Sequence, residues 1–300
     1  MSYLVGIDLG GSSIKAVCTT VDGELLAQAN VTFVDRDREW ARKVRALVED
    51  FRRARGEPLG IGLSAPGLAA RDGRSIACLP GRLEGLEGLP WTEYLESPQP
   101  VPVLNDAHAA LLGEVWQGAA RGLTEVFLLT LGTGVGGAAM VGGRLLQGHT
   151  GRAGHLGHTV VDFQGPPDDV NTPGSVELEI GNKTVWSRSG GRFPTTLDLV
   201  TAHRRGDPEA TRLWLRSVKA LAAAIASLIN ALDPEAVIIG GGIARAGDDL
   251  FQPLQADLDR FEWRPLGTGV RLLPARLGDL AGAYGSAWNV RPTGRPMAAG

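Results

Sequence analysis

The chain has 300 residues, of which 43% are hydrophobic, and a formal net charge of −3. These values predict one large or two medium globular domains with sizeable cores, and they disfavour nucleic acid or anionic membranes as general partners. Cys18 and Cys78 are too few for a disulfide framework, and neither a signal peptide nor a run of about 20 apolar residues is found, which predicts a cytoplasmic protein with two buried thiols.

The first half of the chain alternates short apolar strands with glycine turns. Three successive strands are predicted at residues 3–9, 14–20 and 23–33. An amphipathic helix from Trp40 to Phe51 follows, with apolar side chains at helical spacing. One buried strand then ends before Pro66–Gly67, and another ends at Asn105–Asp106, where a second helix is predicted to begin.

The second half repeats this order. "VDGELL" at 21–26 and "VGGRLL" at 141–146 occupy the same place in two strand-turn-strand-turn-strand patterns. Their recurrence favours duplication of a β-β-β-α unit, giving two related lobes around a ligand cleft, whereas a chance match of glycine hairpins is the alternative. A helix at about 210–232, the strand "AVIIGGGI" and a last helix with Asp279 as its N-cap complete the pattern.

Two glycine turns at equivalent positions are candidate phosphate sites. Glycines let backbone N–H groups approach phosphate oxygens, and hydroxyl groups add donors. Asp8 would repel phosphate directly, so its expected role is to hold a hydrated Mg²⁺ that bridges phosphate oxygens, with Lys15 adding positive charge. Plain hairpins are the alternative for either turn. A third glycine turn, in "IIGGGI", adds to the case for a nucleotide. The expected phosphate-binding residues of the three turns are Asp8, Gly10, Gly11, Ser12, Lys15, Thr133, Gly134, Gly241 and Gly242.

Asp106, at the C-terminal end of an apolar strand, is a candidate general base. Phosphoryl transfer to an alcohol uses a carboxylate placed to accept the hydroxyl proton. A helix N-cap is the alternative role, because Asn105 and Asp106 both precede "AHAALLGEVW" and both are good caps. The chemistry of the two residues leaves both roles open.

Seven motifs resemble the ROK family of repressors, open-reading-frame proteins and sugar kinases, in the family's order and over nearly the whole chain. They are "IDLGGSSIKA", "GIGLSAPG", "VLNDAHAALLGE", "LGTGVGGA", "GRAGHLGH", "VIIGGG" and "LGDLAGAYGSA". The resemblance implies an α/β, two-lobed actin/hexokinase/Hsp70-like fold. We expect one lobe at 1–115 joined by the C-terminal helix at about 278–290, a second at 116–277, and a disordered tail at 291–300.

The resemblance also implies an ATP- and Mg²⁺-dependent carbohydrate kinase and a homodimer. Transfer would go to the 6-hydroxyl of a hexose or hexose derivative, with Asp106 as general base. The first strand begins almost at Met1, which leaves no room for the DNA-binding segment of the family's repressors. A non-catalytic sugar-sensing protein of the same fold is one alternative. An ATPase that drives a partner fits less well, because the chain is short and lacks cysteines for a cluster.

Three departures from the family concern the sugar site. The family's E-x-G-H becomes "HLGH", so that His155 replaces a glutamate, and a neutral imidazole both donates and accepts hydrogen bonds. Arg82 stands near the family's proline-asparagine step, where it could bind an anionic or more polar substrate or form a surface ion pair. The expected sugar-binding residues are Asn105, His155, His158, Glu177, Gly67 and Arg82. The alternative is that both histidines only make hydrogen bonds within their own loop and do not bind sugar.

The third departure is the loss of the family's zinc cysteines. Asp168, Val170 and Ser175 stand at those positions, so a structural zinc is not expected. The alternative is a zinc site made from His158 with Asp168 or Asp169.

Overall fold

The computed structural model describes residues 2–292, which form two compact units. The first contains the chain up to Leu123, the segment Leu145–Gly154 and the chain from Arg276 onward; the second contains Thr124–Arg144 and His155–Ala275. The expected lobe boundary at 115 lies inside a helix that ends at Gln117, and residues 293–300 of the expected disordered tail lie outside the described residues.

The secondary structure alternates strands with helices along the described residues. The strands are β1 (Leu4–Leu9), β2 (Ser13–Thr19), β3 (Leu25–Thr32), β4 (Gly60–Ala65), β5 (Leu68–Ala69), β6 (Ile76–Cys78), β7 (Val103–Asn105), β8 (Val126–Leu131), β9 (Val135–Val141), β10 (Arg144–Leu145), β11 (Ala236–Gly240) and β12 (Arg271–Pro274). The helices are α1 (Glu39–Arg55), α2 (Trp91–Tyr94), α3 (Asp106–Gln117), α4 (Val176–Ile180), α5 (Val185–Arg188), α6 (Thr196–Arg204), α7 (Pro208–Leu232), α8 (Asp248–Phe261) and α9 (Ala281–Asn289).

The first unit contains a five-stranded sheet in the order β3-β2-β1-β4-β7. Strands β1, β2 and β3 are antiparallel neighbours, whereas β4 is parallel to β1 and β7 is parallel to β4. Side chains of β1 alternate between two cores, because successive residues of a strand face opposite sides. Val5 and Ile7 pack with Trp40 of α1, and Leu4 packs with Ala283 of α9.

Helix α9 approaches the sheet and α3 closely because glycines line the contact. A Cβ on Gly6 would overlap the Ala283 carbonyl oxygen, and a Cβ on Gly285 would overlap the Ala109 carbonyl oxygen. This contact places the C-terminal helix in the same compact unit as the first strands.

The second unit contains a five-stranded sheet in the order β10-β9-β8-β11-β12. Strands β8 and β9 are antiparallel, and β11 is parallel to both β8 and β12. Each sheet therefore combines an antiparallel meander with parallel strands in the same spatial order. The predicted duplication is confirmed, and so are the α/β class and the two-lobed actin-like fold.

Helix α7 is long and apolar enough to cross a membrane by length and composition. Its sequence is amphipathic, however: Trp214 and Val218 are fully buried, whereas Arg212 and Arg216 are exposed. Asp207 caps the helix by accepting the N–H groups of Glu209 and Ala210. The buried face makes α7 a core helix of the second unit.

Two local predictions are wrong. Cys78 is exposed at the end of the short strand β6, whereas Cys18 is buried as expected. Asp279 is not the N-cap of α9, because a 3-10 turn over Gly278–Leu280 runs directly into the helix and Leu280 occupies the cap position.

Candidate active site

The carboxylate of Asp8 lies at the end of β1, where the first glycine turn begins. Ser64 Oγ donates a hydrogen bond to Asp8 Oδ1 at 2.8 Å, and Lys15 is its cross-strand neighbour on β2. Burial, assisted by the charges of Asp106 and Asp279, raises the pKa of Asp8 to about 6, although the Ser64 hydrogen bond lowers it. Negative charge is therefore concentrated around Asp8.

The turn after β1 presents backbone to solvent. Gly10 N–H donates to the Ser13 carbonyl at 2.9 Å, and Gly11 and Ser12 are exposed. A Cβ on Gly11 would overlap the Arg82 guanidinium, so that side chain lies against the backbone of the turn. Within residues 2–292 no ion pair holds Arg82, and its charge lowers the pKa of Asp106. The structure thus groups Arg82 with the turn and the candidate base.

Asn105 caps helix α3. Its Oδ1 accepts the N–H groups of Ala107 and His108 at 3.0 and 3.3 Å, and its Nδ2 donates to the Gly67 carbonyl at 2.9 Å. Gly67 has φ of 98°, a conformation that favours glycine. Asn105 and Gly67, both expected to contact sugar, therefore also order the start of α3.

Asp106 is the first residue of α3, and its side chain is accessible to solvent although protein surrounds it closely. This surrounding desolvates the carboxyl group and raises its pKa, whereas the Ala107 N–H, the Asn105 side chain and the Arg82 charge act in the opposite direction. Asp106 Oδ1 accepts the Ala107 N–H at 2.8 Å. Because Asn105 supplies the cap, capping does not account for a carboxylate at position 106.

The glycine turn between β8 and β9 is fastened by Glu177 of α4. Glu177 Oε2 accepts the Val135 N–H at 2.9 Å, and a Cβ on Gly134 would overlap the same carboxylate. Lys183 N–H donates to the Thr133 carbonyl at 2.9 Å. The sequence-predicted residues Thr133, Gly134 and Glu177 thus lie together in the second unit.

A pocket of about 380 Å³ opens beside this turn, a volume within the range of small-molecule sites. It is lined by Gly132, Thr133, Asn182, Thr195, Thr196, Leu197, Val200, Arg204, Gly242, Ile243, Arg245 and Ala246. Gly241 does not line it but allows the turn, because its φ is 85° and a Cβ would overlap the Leu131 carbonyl oxygen. Sequence reasoning missed the residues of α6, since no glycine motif marks that helix.

The two histidines of "GRAGHLGH" flank a short 3-10 turn that packs against β9: His155 precedes the turn over Leu156–His158, and His158 ends it. A Cβ on Gly157 would overlap the Val135 carbonyl oxygen, so glycine is needed between them. Burial lowers the pKa of His155, and the charge of His158 lowers it further. His155 is therefore a neutral imidazole at pH 7, able to donate and accept.

His158 is held by a buried carboxylate. Its Nδ1 lies 2.7 Å from Asp168 Oδ2, and the side chain of Asp168 is 0% exposed while that of His158 is 30% exposed. Asp168 Oδ1 accepts the N–H groups of Val170 and Thr172 at 3.0 and 2.9 Å. Burial raises the pKa of Asp168, but these hydrogen bonds outweigh it and lower the value to about 2.

The residues at the family's zinc positions do not fit zinc. Val170 has no donor atom and is exposed, and Asp169 pairs with Lys183. Among the described residues, no group of three or more histidine, cysteine or acidic side chains is arranged to hold a metal ion. Zinc normally takes four such ligands in structural sites.

Comparison with known proteins gives concordant matches. The sequence model of the ROK family matches residues 4–292. The glucokinase of Halalkalibacterium halodurans is 30% identical over 99% of this chain and 98% of its own length, and the N-acetylmannosamine kinase of Escherichia fergusonii is 31% identical over 81% and 84%. The crystal structure of a ROK family glucokinase from Streptomyces griseus, in complex with glucose and AMPPNP, superimposes with a TM-score of 0.78 at 26% identity, covering 95% of this chain and 98% of that one.

Proposed function

The chain belongs to the ROK family and is a carbohydrate kinase, and from this premise we propose that it transfers the γ-phosphoryl group of ATP to the 6-hydroxyl of a hexose or hexose derivative. The proposed base and the first glycine turn belong to the first unit, and the proposed nucleotide pocket and the histidine turn belong to the second.

Asp106 is the proposed general base, and the start of α3 carries this assignment. Asn105 satisfies the helix N-terminus and leaves the neighbouring carboxylate accessible. A raised pKa brings that carboxylate closer to the operating pH, which strengthens it as a base. Asp106 would accept the hydroxyl proton as the sugar oxygen bonds to phosphorus and the bond from phosphorus to the ADP oxygen breaks.

The pocket beside the second glycine turn is the proposed nucleotide site. Thr133 and the backbone of the turn would face the phosphates, while Leu197, Val200 and Ile243 supply apolar surface for a base. The Streptomyces griseus relative crystallised with AMPPNP, an ATP analogue, which supports ATP as donor.

Asp8 is the proposed site for Mg²⁺ bound with ATP. Its carboxylate fits this role because neighbouring Asp106 and Asp279 concentrate negative charge that a divalent cation relieves. Bound there, the ion would neutralise phosphate charge. Ser64 orients the carboxylate, and Gly10, Gly11, Ser12 and Lys15 would supply donors and positive charge nearby.

The proposed sugar contacts differ from those of the family at two positions. Neutral His155 can donate a hydrogen bond as well as accept one, so it could donate to a hydroxyl or carbonyl oxygen of the substrate, which a glutamate carboxylate cannot do. Arg82 is available to an anionic or strongly polar substituent. His158, Glu177, Asn105 and Gly67 complete the proposed set. Glucose and N-acetylmannosamine, the sugars named for relatives, are therefore only two of the substrates to test.

The family resemblance also supports action in the cytoplasm as a homodimer, without nucleic-acid or membrane partners. These features are proposals that light scattering and fractionation of cells would test.

The proposal is tested by a coupled ADP-release screen with Mg-ATP. The panel should contain neutral hexoses, hexosamines, N-acetylated hexosamines and sugar acids, and ³¹P-coupled NMR of the product identifies the phosphorylated hydroxyl. We expect turnover with at least one sugar and a 6-phosphate product. Phosphorylation at another hydroxyl would overturn the regiochemistry, and silence across the panel despite ATP binding would favour a sugar-sensing role.

A further inference from the structure

We propose that Asp168 is a positioning residue that fixes the ring of His158 for sugar binding, and that its hydrogen bonds take the place of the structural zinc implied by the family resemblance. The inference rests on the proposed sugar-binding role of His158. It concerns how this chain organises a loop whose metal-binding cysteines are absent.

The Asp168 carboxylate uses both oxygens to join two segments. Oδ2 contacts His158 Nδ1 at 2.7 Å, and Oδ1 accepts the N–H groups of Val170 and Thr172 at 3.0 and 2.9 Å. The carboxylate is completely buried. A buried carboxylate is costly unless its acceptor sites are satisfied, so these bonds hold one geometry. One side chain thus orients the histidine and closes its own loop.

The loop itself is ordered by the backbone without a metal. Asp168 N–H donates to the Thr172 carbonyl at 2.9 Å, and Gly174 N–H donates to the Pro166 carbonyl at 2.8 Å. An isolated bridge also joins Val160 to Ser175. Together with the bond between His158 and Asp168, these contacts connect the segment after the histidine turn to the start of α4. A metal cross-link there would be redundant.

The hydrogen-bond partner of His158 Nδ1 determines whether Nε2 donates or accepts a hydrogen bond. When Nδ1–H donates to the carboxylate, Nε2 of a neutral ring is the acceptor. The ring is partly exposed, so Nε2 is available to a sugar hydroxyl. Because the tautomer and the ring orientation are fixed before the sugar binds, binding costs less side-chain entropy. Asp168 therefore acts on the sugar through His158.

The Asp168→Asn variant tests this role. An amide accepts only through its oxygen. If that oxygen keeps the two backbone N–H groups, the NH2 faces His158, Nδ1 must accept, and the proton of the neutral ring moves to Nε2, which removes the acceptor offered to the sugar. If the amide is turned the other way, the backbone hydrogen bonds are lost. We expect KM for the sugar to rise about tenfold or more, with KM for ATP unchanged. Asp169→Asn is the matched control, because the adjacent carboxylate is exposed and pairs with Lys183, and its sugar KM should equal that of the parent.

A double-mutant cycle with His158→Gln separates positioning from folding. If Asp168 acts through His158, Asp168→Asn adds little to the sugar KM once His158 is replaced. If the two substitutions raise the sugar KM independently, so that their fold-changes multiply in the double variant, the proposal is overturned. An unchanged sugar KM in Asp168→Asn with only a lowered Tm would also overturn it.

Two measurements do not need turnover and so separate failure of this inference from failure of the proposed function. In ¹⁵N NMR at pH 8, His158, assigned by its loss in His158→Gln, should have a protonated Nδ1 and an unprotonated Nε2, and the opposite tautomer would overturn the inference. Metal analysis of the purified chain should find no stoichiometric zinc. One tightly bound zinc per chain, whose removal changes the His158 signal, would also overturn it.

Discussion

Adjacent residues at the start of α3 have different roles. Asn105 binds the backbone of the helix and Gly67, while Asp106 keeps an accessible carboxylate. The sequence could place an acidic group after an apolar strand but could not separate cap from base, because both residues cap helices well. Hydrogen-bond geometry assigns the cap to Asn105. In the same way, Ser64 could not be identified beside Asp8, because the two residues are 56 positions apart. Asp168 was paired with His158 only as an alternative zinc ligand, because the sequence does not show the hydrogen bond between them.

The buried Asp8 carboxylate is expected to lower the free energy of unfolding, although the proposed function requires it. Its pKa of about 6, against an ordinary 3.8, means that between these pH values the folded chain keeps a proton that the unfolded chain releases. Its contribution to the unfolding free energy therefore falls as pH rises from about 4 to about 6. Asp8→Asn should lower turnover about 100-fold or more while raising Tm at pH 7.5, by about 2 °C for each kcal/mol gained.

Thermal unfolding of Asp8→Asn and the parent from pH 4 to 8 checks this. The Tm advantage of the variant should grow up to about pH 6 and then level off. Asp50→Asn is the control, because that carboxylate is exposed and pairs with Arg53 of the same helix. A variant less stable than the parent at pH 7.5 would contradict the burial argument.

Arg82 is expected to tune the proposed base. Its positive charge lowers the pKa of Asp106, so Arg82→Ala should raise that pKa and move the acid limb of the kcat/KM profile to higher pH. Arg82→Lys keeps the charge and should leave the limb in place while weakening any two-pronged contact to an anionic sugar. Arg71→Ala, at an exposed site of the same unit, is the control. An acid limb that does not move in Arg82→Ala would show that the Arg82 charge does not affect the pKa of the catalytic group.

At the scale of elements, helix α9 shows how glycine governs packing. Sequence reasoning found the helix and its small residues but assigned the wrong N-cap, because propensity does not reveal that a 3-10 turn precedes it. It also missed Glu114, a fully buried carboxylate of α3 that accepts the Arg276 and Leu277 N–H groups and orders the segment before α9. The Glu114 contact joins residues 162 positions apart in the sequence.

Gly285→Ala is expected to destabilise the protein although alanine normally favours a helix by about 1 kcal/mol. The added Cβ would overlap the Ala109 carbonyl oxygen in α3, and overpacking of this kind costs about 1–3 kcal/mol. Urea unfolding measures the change. Gly132→Ala is the control for stability, since no atom lies near its Cβ and its φ is not positive. A Gly285→Ala chain as stable as the parent would show that α9 can shift without cost.

At the scale of the whole molecule, repetition made the fold predictable. Two copies of strand order, turn type and flanking residues predicted the two matching sheets, because apolar periodicity and glycine turns are local signals. The proposed nucleotide pocket was less predictable. Its wall includes Thr195 and Leu197 near the start of α6, which carry no motif and come beside the glycine turns only on folding.

The central claim is that Asp106 accepts the hydroxyl proton in sugar phosphorylation. The most direct test compares sugar-dependent ADP release by Asp106→Asn and the parent, with nucleotide and sugar binding measured on both chains by calorimetry. We predict that kcat falls by about 10²–10⁴-fold while both affinities stay within a few fold, because the amide keeps the shape of the side chain but cannot take the proton. Turnover within a few fold of the parent would contradict the assignment.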